Sequence, residues 1–248
     1  MSLKLIACAA SVLALAACDG AGPGGMADVN VSVAAEVNAE ATGMGFVPAV
    51  QTDSEGNTLI IDSVFVVVRK MKLLGGSSPC DGVPVEAEDC GLIWQGPTLV
   101  SLPIGSAGAE HLFTASVPTG SYTRVQFQIH KPAGDADFQF LADHPEYDGV
   151  SVRVVGSWNA NAFVYTTNVT DVQGVTFSPP LEVNEPGASF TLLVDLSGWF
   201  WTPAGALIDP ATAMGDGSNV VLVHQNVIRS FRAFGDEDED GSDDVATQ

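Results

Sequence analysis

The sequence predicts a mainly β protein, an antiparallel β-sandwich with one α-helix near the C-terminus. Apolar and polar residues alternate in several segments, which is typical of strands with one solvated face. Gly, Pro, Asn and Asp separate these segments at intervals of about 10 to 15 residues, the spacing of a sandwich. Strand patterns do not alternate with helix patterns, so a parallel α/β fold is not expected. The hydrophobic content of 46% is too high for a disordered chain.

The strands are predicted from short sequence patterns along the chain. "VNVSVAAEV", "SVFVVVRKMKL" and "SFTLLVDL" each alternate, and "VSVRVVGSW", "NAN" and "AFVYTTNV" together predict a hairpin. In "VTFSPPLEV" we expect two short strands, because Pro179 and Pro180 cannot donate ladder hydrogen bonds. "TRVQFQIHK" has the clearest alternation. It predicts an inward face of Val125, Phe127 and Ile129 and a solvated face of Arg124, Gln126, Gln128 and His130.

The helix is predicted over about residues 219–234. A stripe at three- and four-residue steps supports it, consisting of Val220, Val223, Val227, Phe231 and Phe234. Ser218 is a candidate cap at its start and Gly235 a candidate end. We expect this helix to close one end or edge of the sandwich.

The N-terminus predicts export and a lipid anchor. Leu5 to Ala17 form an apolar run that is too short to span a bilayer, which requires about 20 residues, so it is typical of a signal peptide. Leu15-Ala16-Ala17-Cys18 resembles the lipobox of bacterial lipoproteins, which implies acylation of Cys18 and cleavage before it. The alternative is an ordinary secreted protein cut after Ala17. We therefore predict a lipid-anchored protein on the non-cytoplasmic side of a bacterial envelope, with the choice of inner or outer membrane open.

These features predict the organisation of the chain. Residues 1–17 are the signal peptide, 18–27 a Gly-rich tether, 28–234 one sandwich domain and 235–248 an acidic tail. After cleavage, the cysteines other than Cys18 are Cys80 and Cys90, for which we expect a disulfide in an oxidising compartment. A metal site is the alternative for this pair, but its wide spacing and the lack of a flanking His disfavour it.

Several motifs also resemble a known group of proteins. "VPTGSYTRVQFQI", the hairpin, "LIDP" and "SFRAFGDEDEDG" together resemble bacterial envelope lipoproteins built on a transthyretin-like β-sandwich. The resemblance implies the same fold for most of the mature chain. Its motifs are turns and core positions, so it implies no chemistry.

The C-terminal sequence "DEDEDGSDD" contains a candidate calcium site. Asp236, Asp238, Asp240 and Asp244 occupy positions one, three, five and nine of a loop similar to an EF-hand, with Gly241 at the sixth position. Thr247 stands where an EF-hand has a bidentate Glu. The alternatives are weak calcium binding, which would stabilise the end of the helix, and a solvated acidic tail.

Other features of the sequence limit the classes of function that are possible. The net charge of −21 disfavours nucleic acid as a partner. Trp199 and Trp201 in "GWFWTP" are candidates for stacking on a glycan or a protein, although we expect burial in the core instead. The four histidines show no metal-ligand spacing, and we expect them to be isolated on the surface.

No enzyme motif is recognisable in the sequence. We therefore predict a non-catalytic binding or structural module, with calcium as the candidate cofactor. Two alternatives are a carbohydrate- or protein-recognition module that uses the tryptophans, and a periplasmic hydrolase whose carboxylates the sequence does not single out.

Overall fold

Alternating apolar residues form most of the secondary structure in this computed structural model, which describes residues 25–36, 49–75, 91–105 and 108–244. The strands found there are β1 (Met26–Glu36), β2 (Ala49–Thr52), β3 (Thr58–Leu74), β4 (Leu92–Trp94), β5 (Thr98–Ser101), β6 (Glu110–Pro118), β7 (Gly120–Ile129), β8 (Val152–Trp158), β9 (Asn161–Thr167), β10 (Asp171–Val183), β11 (Ala188–Asp195) and β12 (Phe231–Gly235). The helices are α1 (Phe138–Asp143) and α2 (Val220–Ile228), with 3-10 turns at Asp135–Asp137, Pro145–Tyr147 and Pro210–Ala213.

The strands form two sheets, which confirms the predicted β-sandwich. Sheet A has the order β12-β11-β1-β6, and sheet B has the order β10-β7-β3-β8-β9, with β2, β4 and β5 also pairing with β3. Pairing in the described part of the chain is antiparallel except between β1 and β11, which run parallel. The predicted hairpin is formed by β8 and β9.

The core lies between the two sheets. Val125, Phe127 and Ile129 point inward from β7 as the alternation predicts, with exposures of at most 1%. Phe190 and Leu192 of β11 face them from sheet A. The largest fully buried side chains also include Trp199, Tyr165 and Phe200, so the core is filled by bulky aromatic groups.

The C-terminal helix is shorter than predicted. α2 ends at Ile228, and Phe231–Gly235 form β12, which pairs with β11 at the edge of sheet A. Val223 and Val227 are fully buried as the helical stripe predicts. The prediction for Phe231 and Phe234 was wrong, because hydrogen bonding to an open strand edge outweighs a local helical pattern.

Three further expectations differ from the structure. β10 continues through Pro179 and Pro180 as one strand, with an irregular register between Thr176 and Leu181. β1 begins at Met26, inside the segment predicted as a tether. Residues 236–244 are folded against sheet A, as described below.

Part of the outer face of sheet B is covered, although the sequence predicts a solvated surface there. Gln126 and His130 on the outward side of β7 are only 7% and 6% exposed. Residues 132–150, which we call the strap, lie on this face. Phe140 and Tyr147 of the strap pack on Val67 of β3 in a small apolar cluster separate from the main core.

In the described segments, no helix has the length and hydropathy to cross a bilayer.

Candidate functional site

The candidate site is the segment of residues 236–244, which we call the acidic loop. It follows β12 directly and lies across the outer face of sheet A. The strand positions beneath it carry short side chains, including Ser32 and Ala34 of β1 and Thr191 of β11, which are at most 5% exposed. Because Val31 and Leu192 beside them point into the core, alternation places these short side chains on the outer face. The sheet therefore offers a surface with room for a folded loop.

Asp236 attaches the loop to the sheet. Its side chain is fully buried and accepts a hydrogen bond of 2.5 Å from the Thr191 hydroxyl. The Asp240 amide donates to its Oδ1 and the Gly241 amide to its Oδ2, each at 3.0 Å. Burial raises the pKa of the Asp236 carboxyl, although these hydrogen bonds act in the opposite direction. A buried carboxylate that accepts several donors is held in one orientation.

Glu239 makes a second attachment between the loop and the sheet. Its Oε1 accepts from Asn30 Nδ2 at 3.0 Å and from the Ser189 hydroxyl at 3.2 Å. Asn30 in turn accepts a hydrogen bond from Thr114 of β6 through its Oδ1 at 2.8 Å. The loop is thus connected to three strands of sheet A.

Gly241 permits the sharp turn that the motif requires. Its φ is +83°, and an added Cβ would lie 3.0 Å from the carbonyl carbon of Gly108 and 3.4 Å from the Ala34 side chain. Side chains other than glycine rarely adopt this conformation. The sixth position of the predicted loop therefore has both the conformation and the close packing that select glycine.

Three of the four predicted metal ligands lie together. Asp236, Asp238 and Asp244 each place one carboxylate oxygen within 4.8 Å of the others. Calcium binds carboxylate oxygens at about 2.3 to 2.6 Å, so two oxygens on opposite sides of one ion are separated by up to about 5 Å. The three side chains fit such an ion. Asp240 lies outside this group, and its Oδ1 accepts from the Ser242 amide at 2.7 Å.

Trp199 does not form the recognition surface that the sequence allows as an alternative. Its side chain is 0% exposed, so the expected burial is confirmed for Trp199 and the stacking alternative is wrong there. Trp201 is half-buried, and its indole Nε1 donates to Gln51 at 2.6 Å. The carbonyls of both tryptophans accept from the Asn226 side chain of α2. Residues 199–201 therefore join α2 to the sandwich.

The other candidate residues divide into two groups. Cys18, Cys80 and Cys90, with their predicted lipid and disulfide, lie outside the described residues. The carboxylates of "DADFQFLADHPEYD", which the hydrolase alternative would use, lie on the strap. Asp135, Asp143, Glu146 and Asp148 are exposed there, whereas Asp137 is buried.

His130 and Asp137 form a buried pair that the sequence analysis did not identify. His130 Nε2 lies 2.8 Å from Asp137 Oδ2, which also accepts from the Ala133 amide at 2.8 Å. Burial lowers the pKa of His130 more than the contact with Asp137 raises it. Burial alone would raise the pKa of Asp137, but the hydrogen bonds from Ala133 and His130 hold it below its usual value. The expectation of a surface histidine was therefore wrong for His130.

The residues that hold the acidic loop were also missed by sequence reasoning. Asn30, Ser189 and Thr191 occupy outward strand positions, where a polar residue is expected for contact with water alone. Their short side chains are a weak signal, because the same residues are common on solvated strand faces.

Comparisons with known proteins add little to this description. No protein-family model and no curated protein matches the chain. Among solved structures, it is similar to MbnP from Methylosinus trichosporium, with 10% sequence identity and a TM-score of 0.41 over 84% of this chain and 99% of that chain. A likeness this weak does not bear on the function.

Proposed function

We propose that this protein is a lipid-anchored, non-catalytic module of the bacterial cell envelope whose acidic loop binds calcium as a structural cofactor. The observation that carries the calcium proposal is the group formed by Asp236, Asp238 and Asp244. Oxygen ligands of this kind suit a hard cation such as Ca²⁺. The envelope location and the anchor rest on the sequence around Cys18.

The proposed role of calcium is to hold the acidic loop on sheet A. Seven of the nine residues in the loop are acidic, so their mutual repulsion opposes the folded conformation. A divalent cation between Asp238, Asp244 and the buried Asp236 would reduce that repulsion. Since Asp236 also bonds to Thr191, the ion would connect the C-terminal segment to the centre of the sheet.

We expect weak binding, with a dissociation constant of about 10⁻⁴ to 10⁻³ M, as in other extracellular calcium modules. At 10 mM calcium and a dissociation constant near 1 mM, binding stabilises the folded state by about 1.4 kcal/mol. For a domain of this size, that is a rise in melting temperature of about 3 to 5 °C.

The test is thermal unfolding of the protein in 10 mM calcium and in chelator. Asp238→Asn removes one ligand of the group, so we expect it to lose most of the calcium-dependent rise. Asp135→Asn is the matched control, because Asp135 is an exposed aspartate on the strap. The calcium proposal is contradicted if the unmodified protein melts at the same temperature in both conditions. It is also contradicted if both variants keep the full rise.

The anchor has a separate test. Mass spectrometry of the protein isolated from its native membrane should show a processed N-terminus that begins with acylated Cys18. An intact leader or an unmodified Cys18 thiol would contradict the lipid-anchor proposal, whatever the result of the calcium test.

A further inference from the structure

A groove with a volume of about 570 Å³ lies beside the acidic loop. One wall is formed by the start of β1 and β11, and the other by the end of β10 with the turn that follows it. Pro179, Pro180 and Pro186 with Leu181 supply apolar surface, and Asp28, Glu182, Glu237 and Asp244 supply carboxylates. The groove therefore combines an apolar wall with an acidic rim.

Three of the four rim carboxylates are available to a partner. Asp28, Glu182 and Glu237 are exposed, and among the described residues none of the three forms an ion pair with a basic side chain. The Ser121 hydroxyl donates to Glu182 at 2.6 Å, which orients that carboxylate without neutralising it. Charges of one sign along a cleft attract ligands of the opposite sign.

The arrangement of the carboxylates indicates the kind of cation that fits. In the part of the chain that the structure describes, only Asp244 of the four belongs to a group of three acidic side chains close enough to hold one metal ion. Asp28, Glu182 and Glu237 do not converge in this way, so they suit several separated positive charges better than one ion. The apolar wall suits the aliphatic stems of Lys and Arg, which pack on apolar surface while their charged ends stay solvated.

We propose that this groove binds an extended, lysine- or arginine-rich segment of a partner protein. The proline rings of the groove wall restrict the backbone of this protein. The wall therefore loses little conformational freedom when the partner segment binds. The net charge of −21 accelerates the approach of such a segment, and the groove supplies the site where it binds. This interaction does not require calcium.

The experiment measures binding of a fluorescein-labelled hexalysine peptide to the full-length protein in detergent and chelator, by fluorescence anisotropy. The double variant Asp28→Asn/Glu182→Gln removes two rim charges that are not candidate metal ligands. We expect it to bind the peptide about fivefold more weakly, since each exposed ion pair contributes a modest amount. The double variant Asp135→Asn/Asp143→Asn removes the same charge from the strap, and we expect its affinity to change less than twofold.

Two results would overturn this proposal. Equal weakening by the two double variants would show general attraction to an acidic protein, and no binding by the unmodified protein would show that the groove does not accept the segment. A peptide with acetylated lysines should not bind, and binding that survives acetylation would also count against the proposal. Circular dichroism establishes that both double variants are folded. Asp28 and Glu182 lie on β1 and β10, outside the acidic loop, so the difference between the two double variants in chelator is distinguishable from the result of the calcium test.

Discussion

The two sheets are covered on their outer faces in different ways. On sheet B, the strap packs Phe140 and Tyr147 against Val67, so an apolar cluster holds it. On sheet A, the acidic loop is held by hydrogen bonds from Thr191, Asn30 and Ser189 to the carboxylates of Asp236 and Glu239. An apolar cluster is insensitive to ions, whereas an arrangement of carboxylates depends on charge. The acidic loop is therefore the region where a cation can change the stability of this fold.

The largest expected effect is loss of the apolar cluster under the strap. Phe140→Ala removes a ring that is 9% exposed and packs edge-on against Tyr147. We expect the free energy of unfolding to fall by about 3 kcal/mol, measured by urea denaturation. Phe138→Ala is the matched control, because Phe138 lies on the same helix and is 70% exposed. A fall equal to that of Phe138→Ala would show that the cluster does not hold the strap.

A smaller effect is expected from the attachment of the acidic loop. Thr191→Val keeps the shape of the side chain and removes the hydroxyl that donates to buried Asp236. Hydrogen bonds to charged groups contribute about 1.5 to 3 kcal/mol, so we expect a loss of about 2 kcal/mol in urea denaturation. Ser189→Ala removes a less buried donor to Glu239 and should cost less. If Thr191→Val costs no more than Ser189→Ala, Asp236 is not the main attachment.

The sequence predicts the strands of this protein better than it predicts how their outer faces and edges are covered. Alternation in β7 and β11 predicts both strands and their inward faces, because period-2 burial is a local property. The same alternation cannot show that the outer faces are covered. His130 lies under the strap and Ser32 under the acidic loop, but both residue types are equally common on strand faces in contact with water. β12 was missed because its formation depends on the free edge of β11, which is distant in the sequence.

The sequence predicts candidate ligands of the site, but it does not predict the contacts that hold the acidic loop on sheet A. The spacing of Asp236, Asp238, Asp240 and Asp244 indicates a candidate cation loop. Three of these four carboxylates lie together, and Asp240 lies outside the group. That Asp236 is buried on Thr191 follows from a contact across 45 residues, which no local pattern contains. The burial of Trp199 depends likewise on packing between distant segments.

The smallest expected effect is a pH dependence of the stability of the strap, whose Asp137 contacts His130 of sheet B. Burial, with the charges of Arg69 and Lys70, lowers the pKa of His130 below its usual 6.5, against the opposing effect of Asp137. The stability that neutral His130 contributes is therefore present above pH 6.5 and is lost as the pH falls through the folded-state pKa. Asp137 stays ionised in this range, because its pKa is held below 3.8.

The measurement is the urea midpoint at pH 7.5 and pH 5.5. We expect His130→Gln to lose less stability on acidification than the unmodified protein does. His224→Gln should also lose less stability on acidification than the unmodified protein does, because burial lowers the pKa of His224 as well. An identical loss in His130→Gln and the unmodified protein would exclude a role for His130 in the pH dependence.

The most direct test of the central claim is amide hydrogen exchange of the two covering segments, in calcium and in chelator. The amides of Asp240 and Gly241 donate to Asp236, so they report directly on the folded acidic loop. We predict that calcium slows exchange in residues 236–244 and leaves exchange in the strap unchanged. Equal exchange of the acidic loop with and without calcium, or equal slowing in both segments, would contradict the claim that a cation holds this loop on sheet A.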